Sequence, residues 1–331
     1  MKIPPEYNFN SNIVSSLQKI EANRQIIAIF AKKHALEKSK FLQNAVFKRA
    51  FYTLCLEGEK ISYIKYSLEN LASVQNTKIW NALNIYKWIK DGFVYKKKLT
   101  LGDLLYLHKL VMQGSVRVKE AGVFRKVQEL SIIDFTKEGV YAFTPPGEIE
   151  AHIDKLISFI NSDLEIFIPI KASLALYIFM RISPFLEGNG LVGRLLFFLV
   201  FTRDNYLFEN ALVVEEYLYR VKEEYFHILN DEKDAGRFLE FMLNIISKAS
   251  SQLRLILTEK AERVLPDELL PRRKKILDYI LEKGTVSLSE LKENNTEVSG
   301  RMLRYDLANL MENKFILKRG NTRAVVYSAR E

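Results

Sequence analysis

The chain is poor in the residues that build covalent or metal-centred chemistry. Cysteine occurs once in 331 residues, as Cys55, which excludes an internal disulfide and a thiolate metal site. Histidine occurs four times, as His34, His108, His152 and His227, and no two are close in sequence, so no histidine metal motif is present. No uninterrupted apolar run approaches a membrane span, and the stretch around Leu195 is bounded by Arg194 and Arg203. Met1 to Pro5 lacks the apolar centre of a signal peptide. These absences lead to the expectation of a reducing, cytoplasmic setting with no membrane partner.

What is present describes a globular chain. Apolar residues make up 48% and charged residues 27%, and the length suits two or three domains. The net charge of +9 points mildly to acidic partners, nucleic acid among them.

Apolar spacing predicts helices over 12–35, 41–56, 61–89, 101–112, 148–161, 168–182, 191–204, 213–230 and 235–265. A polar break, Glu37-Lys38-Ser39-Lys40, separates the first two. Residues 122–146 differ in texture: β-branched and aromatic residues broken by Lys137-Glu138-Gly139 read as a β-hairpin closed by Pro145-Pro146. Pro266 and Pro271 bracket a linker. Beyond it the order helix, strand, helix, helix, hairpin is that of a winged helix-turn-helix over 271–331. That segment holds 13 Lys/Arg against 8 Asp/Glu, an excess of five in the chain's total of nine.

One stretch organises the rest: Ser183-Pro184-Phe185-Leu186-Glu187-Gly188-Asn189-Gly190-Leu191-Val192-Gly193-Arg194. It lies between two apolar runs. Glycines let a backbone approach a ligand, and free N–H groups at a helix start form an anion site. Arg194, about one turn into the helix, suits a phosphate, and Glu187 is a hard oxygen ligand suited to Mg²⁺. A Gly-Asn-Gly turn alone is also what a loop between core helices looks like.

The longer string resembles the signature of the Fic family, His-Pro-Phe-x-Asp/Glu-Gly-Asn-Gly-Arg-x-x-Arg. Pro184, Phe185, Glu187, Gly188, Asn189, Gly190 and Arg194 match in place, while Ser183 stands for the histidine and Leu191 for the first arginine. Gly122-Val123-Phe124-Arg125 is similar to the family's Gly-x-Phe-Arg before its flap, and Thr144-Pro145-Pro146 to the close of that flap. The resemblance implies a mainly α fold: a Fic core with a small β flap that pairs with a protein target. It implies transfer of AMP from ATP, with Mg²⁺, to a protein hydroxyl. Gly188, Asn189, Gly190 and Arg194 would bind the nucleotide, with Tyr225 near its base, and Glu187 the metal. Tyr225 reads equally as a core aromatic.

Thr53-Leu54-Cys55-Leu56-Glu57-Gly58 looks like the family's N-terminal inhibitory motif, which implies that Thr53, Glu57 and Gly58 place a carboxylate on Arg194. On its own the stretch also reads as a surface helix end. The departures matter chemically. A serine hydroxyl has no usable basicity near neutral pH, so Ser183 cannot replace the imidazole, and loss of a general base lowers rate by about 10²–10⁴-fold.

The expected domains are 1–100 with the inhibitory motif, 101–265 as Fic core, and 271–331 as winged helix. The expected function is a catalytically impaired, nucleotide-binding relative of protein adenylyltransferases. The alternative is a DNA-binding regulator that uses the core as a ligand sensor; a third reading is transfer from another phosphate-containing donor. In the winged helix, Leu303, Leu307 and Leu310 would face inward, with Ser299, Arg301, Arg304 and Tyr305 toward a major groove. Lys318, Arg319 and Arg323 would meet phosphates. Such domains also bind protein or dimerise, and Arg272–Lys275 also reads as a solvated helix start. A homodimer is a further expectation.

Overall fold

The computed structural model describes residues 2–33, 35–61, 77–92, 98–113, 118–128, 130–131, 141–142, 144–204, 206, 208–230, 235–261, 269–313, 315–320 and 325–329. The chain divides into two compact units, Met1–Leu255 and Ile256–Glu331. Among the described residues no helix is long and apolar enough to cross a membrane.

The first unit is mainly α-helical. Its helices are α1 (Ser11–Lys33), α2 (Ala35–Leu56), α3 (Thr77–Gly92), α4 (Leu101–Val111), α5 (Ile149–Asn161), α6 (Ile168–Ile182), α7 (Asn189–Arg203), α8 (Glu215–Arg220), α9 (Lys222–Asn230) and most of α10 (Ala235–Ala261), which runs on past Leu255. At the centre, α6 and α7 each bury all but two of their 15 residues. A helix apolar on every side must lie inside the molecule, and both are. They pack closely at Gly193, where a Cβ would stand 3.0 Å from Leu176 and 3.2 Å from Phe179. In this setting the central stretch is the short link between two buried rods, which holds it firmly.

Two expectations are corrected. Glu37–Lys40 does not break the helix, since α2 begins at Ala35 and runs through it. Charged residues are good helix formers, and a polar stretch without glycine or proline need not end one. Residues 213–230 form two helices, α8 and α9, with Val221 between them. Part of the helix expected over 61–89 lies outside the described residues. The expected hairpin appears as two short antiparallel strands, β1 (Leu130–Ser131) and β2 (Tyr141–Ala142), with Leu130 opposite Ala142.

The second unit runs α11 (Pro271–Lys283), β3 (Thr285–Ser287), α12 (Leu288–Glu293), α13 (Gly300–Glu312), β4 (Ile316–Arg319) and β5 (Val326–Ala329). The strands form an antiparallel sheet in the order β3-β5-β4. Its core is built on Ile276, Ile280, Leu291, Leu303, Leu307 and Leu310.

Candidate functional site

The site begins where α6 stops. Ser183 takes a left-handed conformation, φ 44° and ψ 64°, and its N–H donates to the Phe179 carbonyl at 2.9 Å. Left-handed backbone is unfavourable for a residue with a Cβ, so the surroundings must impose it. Arg125 does so. It is buried; its Nε donates to the Ser183 carbonyl at 2.8 Å and its Nη2 to those of Thr144 (2.5 Å) and Ile182 (3.3 Å). Its own N–H donates to the Pro184 carbonyl at 2.9 Å. One guanidinium therefore ties the end of α6 to the base of the β1–β2 segment.

Phe185 plugs the loop into the core. It is stacked on His108 of α4, with ring centroids 3.7 Å apart and planes at 7°. The Asn189 side chain closes the turn from the other side. Its Oδ1 accepts from the Phe185 N–H at 3.0 Å and its Nδ2 donates to the Phe185 carbonyl at 2.7 Å. Gly188, at φ 76°, lies against α4: a Cβ there would meet Val111 at 3.1 Å and His108 at 3.7 Å. The φ favours glycine, and Val111 leaves little room for a Cβ.

His108 is a further part of the frame. The Gly122 N–H donates to its Nδ1 at 2.8 Å, so Nε2 must carry the proton, and Nε2 lies 3.0 Å from the Glu187 carbonyl. The ring is neutral, and burial pushes its pKa down to about 4. No local signal in the sequence marks His108 for this role; the Gly122–Arg125 stretch singles out Arg125 but not its partners, which are carbonyls elsewhere along the chain.

Arg194 is buried, 2% exposed. Its Nε donates to Thr53 Oγ1 at 2.6 Å, and its Nη2 donates to the Thr53 carbonyl at 3.0 Å and to Glu57 Oε1 at 2.5 Å. Burial opposes the Arg194 charge; Glu57, helped by the Tyr225 and Tyr86 hydroxyls, more than offsets this, and the pKa stands above its ordinary value. Among the described residues, Arg194 Nη1 and the buried Tyr225 hydroxyl have no hydrogen-bond partner.

Glu57 also covers the start of α7. A Cβ at Gly190 would collide with Glu57 Oε1 and stand 3.2 Å from Arg194 Nη1. The Glu57 carboxylate thus occupies the place at a helix N-terminus, beside an arginine, that an anion prefers. Gly58, at φ 85°, ends α2 and turns the chain away. A charged oxygen group already fits this spot, so the residues suit a phosphate.

Ser183 is 4% exposed and Leu191 7% exposed. Glu187 is exposed at the rim of the loop. No cluster of three or more His, Cys, Asp or Glu able to hold a metal occurs among the described residues. A single carboxylate is nonetheless an ordinary protein share for Mg²⁺ held mainly by nucleotide phosphates. Tyr225 is fully buried in an aromatic cluster with Phe226, Phe238 and Phe241, its ring centroid 5.0 Å from that of Phe226.

In the second unit, Arg301, Arg304 and Tyr305 lie exposed on α13, and Lys318 and Arg319 on β4; Arg323 lies outside the described residues. Ser299 caps α13 by accepting from the Met302 N–H at 3.3 Å. Arg272 and Arg273 both bond the fully buried Asp306, at 2.6 Å and 2.9 Å. The start of α11 is thereby anchored rather than merely solvated.

The sequence model of the Fic/DOC family matches residues 98–201. The chain is 26% identical over 245 residues to the protein adenylyltransferase Fic of Drosophila erecta, covering 70% of this chain and 46% of that relative. The Drosophila virilis protein of the same name is 26% identical over 291 residues, covering 81% and 56%. The chain thus spans about half the length of these curated relatives. In three dimensions it is similar to a Fic family protein from Desulfovibrio desulfuricans G20, with TM-score 0.69 and 19% identity over 98% of both chains. It is also similar to Fic-1, residues 134–508, of C. elegans, with TM-score 0.57 and 17% identity over 75% of this chain and 73% of that one. The helical core built around the Ser183–Arg194 link is a Fic fold, and over residues 98–201 the chain carries a domain of the Fic/DOC family.

Proposed function

We propose that the Fic/DOC domain binds ATP with Mg²⁺ in a pocket that Glu57 holds closed, and that its AMP transfer to protein is slow or absent. When bound, ATP would supply the AMP group, a protein hydroxyl would receive it at the α-phosphorus with loss of its proton, and pyrophosphate would leave. The α7 N-terminus and Gly188–Gly190 would face phosphate oxygens, and Glu187 would hold the metal. Arg194 would clamp the phosphate end of the nucleotide once released from Glu57, since one guanidinium face cannot serve both anions. Ser183 lacks the basicity to take the proton of the attacking hydroxyl. His108 does not replace it, because both of its ring nitrogens are engaged. In this reading, residues 1–100 regulate, 101–265 bind nucleotide, and 271–331 form a separate winged helix.

The observation that carries the reading is the Glu57 carboxylate lying on Arg194 at the start of α7. Calorimetric titration of Mg-ATP into the natural protein and a Glu57→Gly variant tests it. The variant is expected to bind at least about tenfold more tightly, a difference of about 1.4 kcal/mol. Equal affinity would sink the closure by Glu57, and no binding by either would sink nucleotide binding.

A second reading, DNA binding by residues 271–331, is favoured by one feature. The acidic Asp306 in the middle of α13 is turned inward onto two arginines, which leaves Arg301 and Arg304 on a face with no exposed acid before Glu312. A shift of duplex DNA at low salt, weakened by R301A/R304A, would support it; no shift at low salt would end it.

A further inference from the structure

Arg49 is among the largest fully buried side chains of the protein, 1% exposed, and it lies on α2 two helical turns before Glu57. Arg49 and Thr53 are one turn apart and share one face of that helix, and Glu57 follows directly after its last residue, Leu56. The Arg49 guanidinium finds no carboxylate in ion-pair contact among the described residues. Its Nε donates to the Leu212 carbonyl at 2.8 Å and its Nη2 to the Asn210 carbonyl. It lies 4.4 Å over the Phe198 ring and 5.8 Å from the Tyr86 ring centroid. Burial pulls its pKa down, opposed by Glu215 and Tyr86.

The arrangement is reciprocal. Phe198 lies one turn beyond Arg194 on α7. Helix α7 therefore hands Arg194 to Thr53 of α2 and to Glu57 just beyond its end, and receives Arg49 of α2 on the next turn. The segment that takes the Arg49 hydrogen bonds has two left-handed residues, Asn210 at φ 64°, which asparagine tolerates, and Phe208 at φ 42°, which is unfavourable for a phenylalanine. Non-glycine residues keep such conformations only where the surroundings over-determine them. A buried arginine is seldom the most stable filling for a core, and apolar residues of similar size often serve as well. What the rigid, planar fork provides is register. Sliding α2 by one residue moves every side chain by about 1.5 Å along the axis and turns it by about 100°, which would take Glu57 off Arg194.

We propose that Arg49 is the positioning residue that holds α2 in the register where Glu57 closes the pocket, with the 208–212 segment as the other half of the latch. The proposal rests on the reading of Glu57 as the closing group. It has a sign that a merely structural role lacks: loosening a supporting residue of a binding site weakens binding, whereas loosening Arg49 should strengthen it.

The test is calorimetric titration of Mg-ATP into the full chain and its Glu57→Gly, Arg49→Met, Arg49→Lys and Arg49→Met/Glu57→Gly variants, with melting curves to show folding. Arg49→Met should bind about tenfold or more tightly than the natural protein, Arg49→Lys should fall between, and the double variant should bind no more tightly than Glu57→Gly. Natural affinity in a folded Arg49→Met, with a gain in Glu57→Gly, overturns the role of Arg49 and leaves the closure by Glu57 standing. No gain in Glu57→Gly overturns both. If Arg49→Met does not fold, Arg49→Lys decides: it keeps the charge but cannot bridge both carbonyls, so a gain supports the proposal and natural affinity overturns it.

Discussion

Arg125 Nε lies 2.8 Å from the carbonyl oxygen of Ser183, the left-handed residue that ends α6. The carbonyls of Ile182 and Thr144 depend on the same guanidinium. Removing it leaves several buried acceptors without a donor. Arg125→Ala is expected to lower unfolding free energy by about 3 kcal/mol. Arg125→Lys should recover less than half of that, because one ammonium cannot span the same fork. Urea unfolding measures both, and a loss within about 0.5 kcal/mol for the alanine variant, the level of an ordinary surface change, would refute the role.

Gly190 and Glu57 should be energetically coupled. Gly190→Ala would push the Glu57 carboxylate aside. Because that carboxylate ends a flexible, partly exposed side chain, the penalty should be modest, about 1–2 kcal/mol. In the Glu57→Gly background it should largely vanish. A double-mutant cycle measures the difference, and a coupling indistinguishable from zero would show that the two do not meet.

His108 should make stability depend on pH. Its folded pKa, about 4, lies below the ordinary value of 6.5. Above 6.5 the ring is neutral folded or unfolded, and His108 adds no pH dependence. As pH falls from 6.5 the unfolded chain takes up a proton that the folded protein refuses, so stability declines until about pH 4. The full decline attributable to this group is about 3 kcal/mol. Unfolding free energies across this range, compared with those of His108→Gln, isolate it; equal slopes in the two proteins would sink the prediction.

The two departures from the signature should respond differently to reversal. Leu191 is 7% exposed, so Leu191→Arg drives a cation toward a buried site and should lower the melting temperature. Ser183→His alone is the gentler test of activity. In a Glu57→Gly background, labelling of protein from ATP should rise by about 100-fold or more once a base is present. Absence of any rise would show that more than the base is missing.

Asp306 should be a keystone of the second unit. It is fully buried and bonded to Arg272 and Arg273. Those arginines are nearer the surface and can return to water, so Asp306→Asn should cost about 1–3 kcal/mol, less than breaking a pair buried on both sides. Denaturation of the full chain, followed by a probe in residues 271–331, checks this.

Much of the architecture was legible along the chain because it follows from local chemistry. The apolar runs on either side of Pro184 pointed to two helices, and Gly188-Asn189-Gly190 to a turn between them. Pro271, which closes the linker, stands at the start of α11. Readings failed where local signals were weak: Glu37–Lys40 looked like a break but contains no residue that ends a helix, and Val221, which divides α8 from α9, carries no breaker signal.

The site divides in the same way. Residue types and spacing along the chain were enough to place a glycine turn, an arginine and a carboxylate in one link, because short-range geometry follows from φ, ψ and helical period. Packing alone decided that the Asn189 side chain serves the Phe185 backbone, that His108 is neutral, and that Arg125 and Arg49 brace the link and α2. Those roles depend on carbonyls brought close by the fold from distant parts of the chain, and a backbone carbonyl leaves no mark in the identity of the residue that carries it.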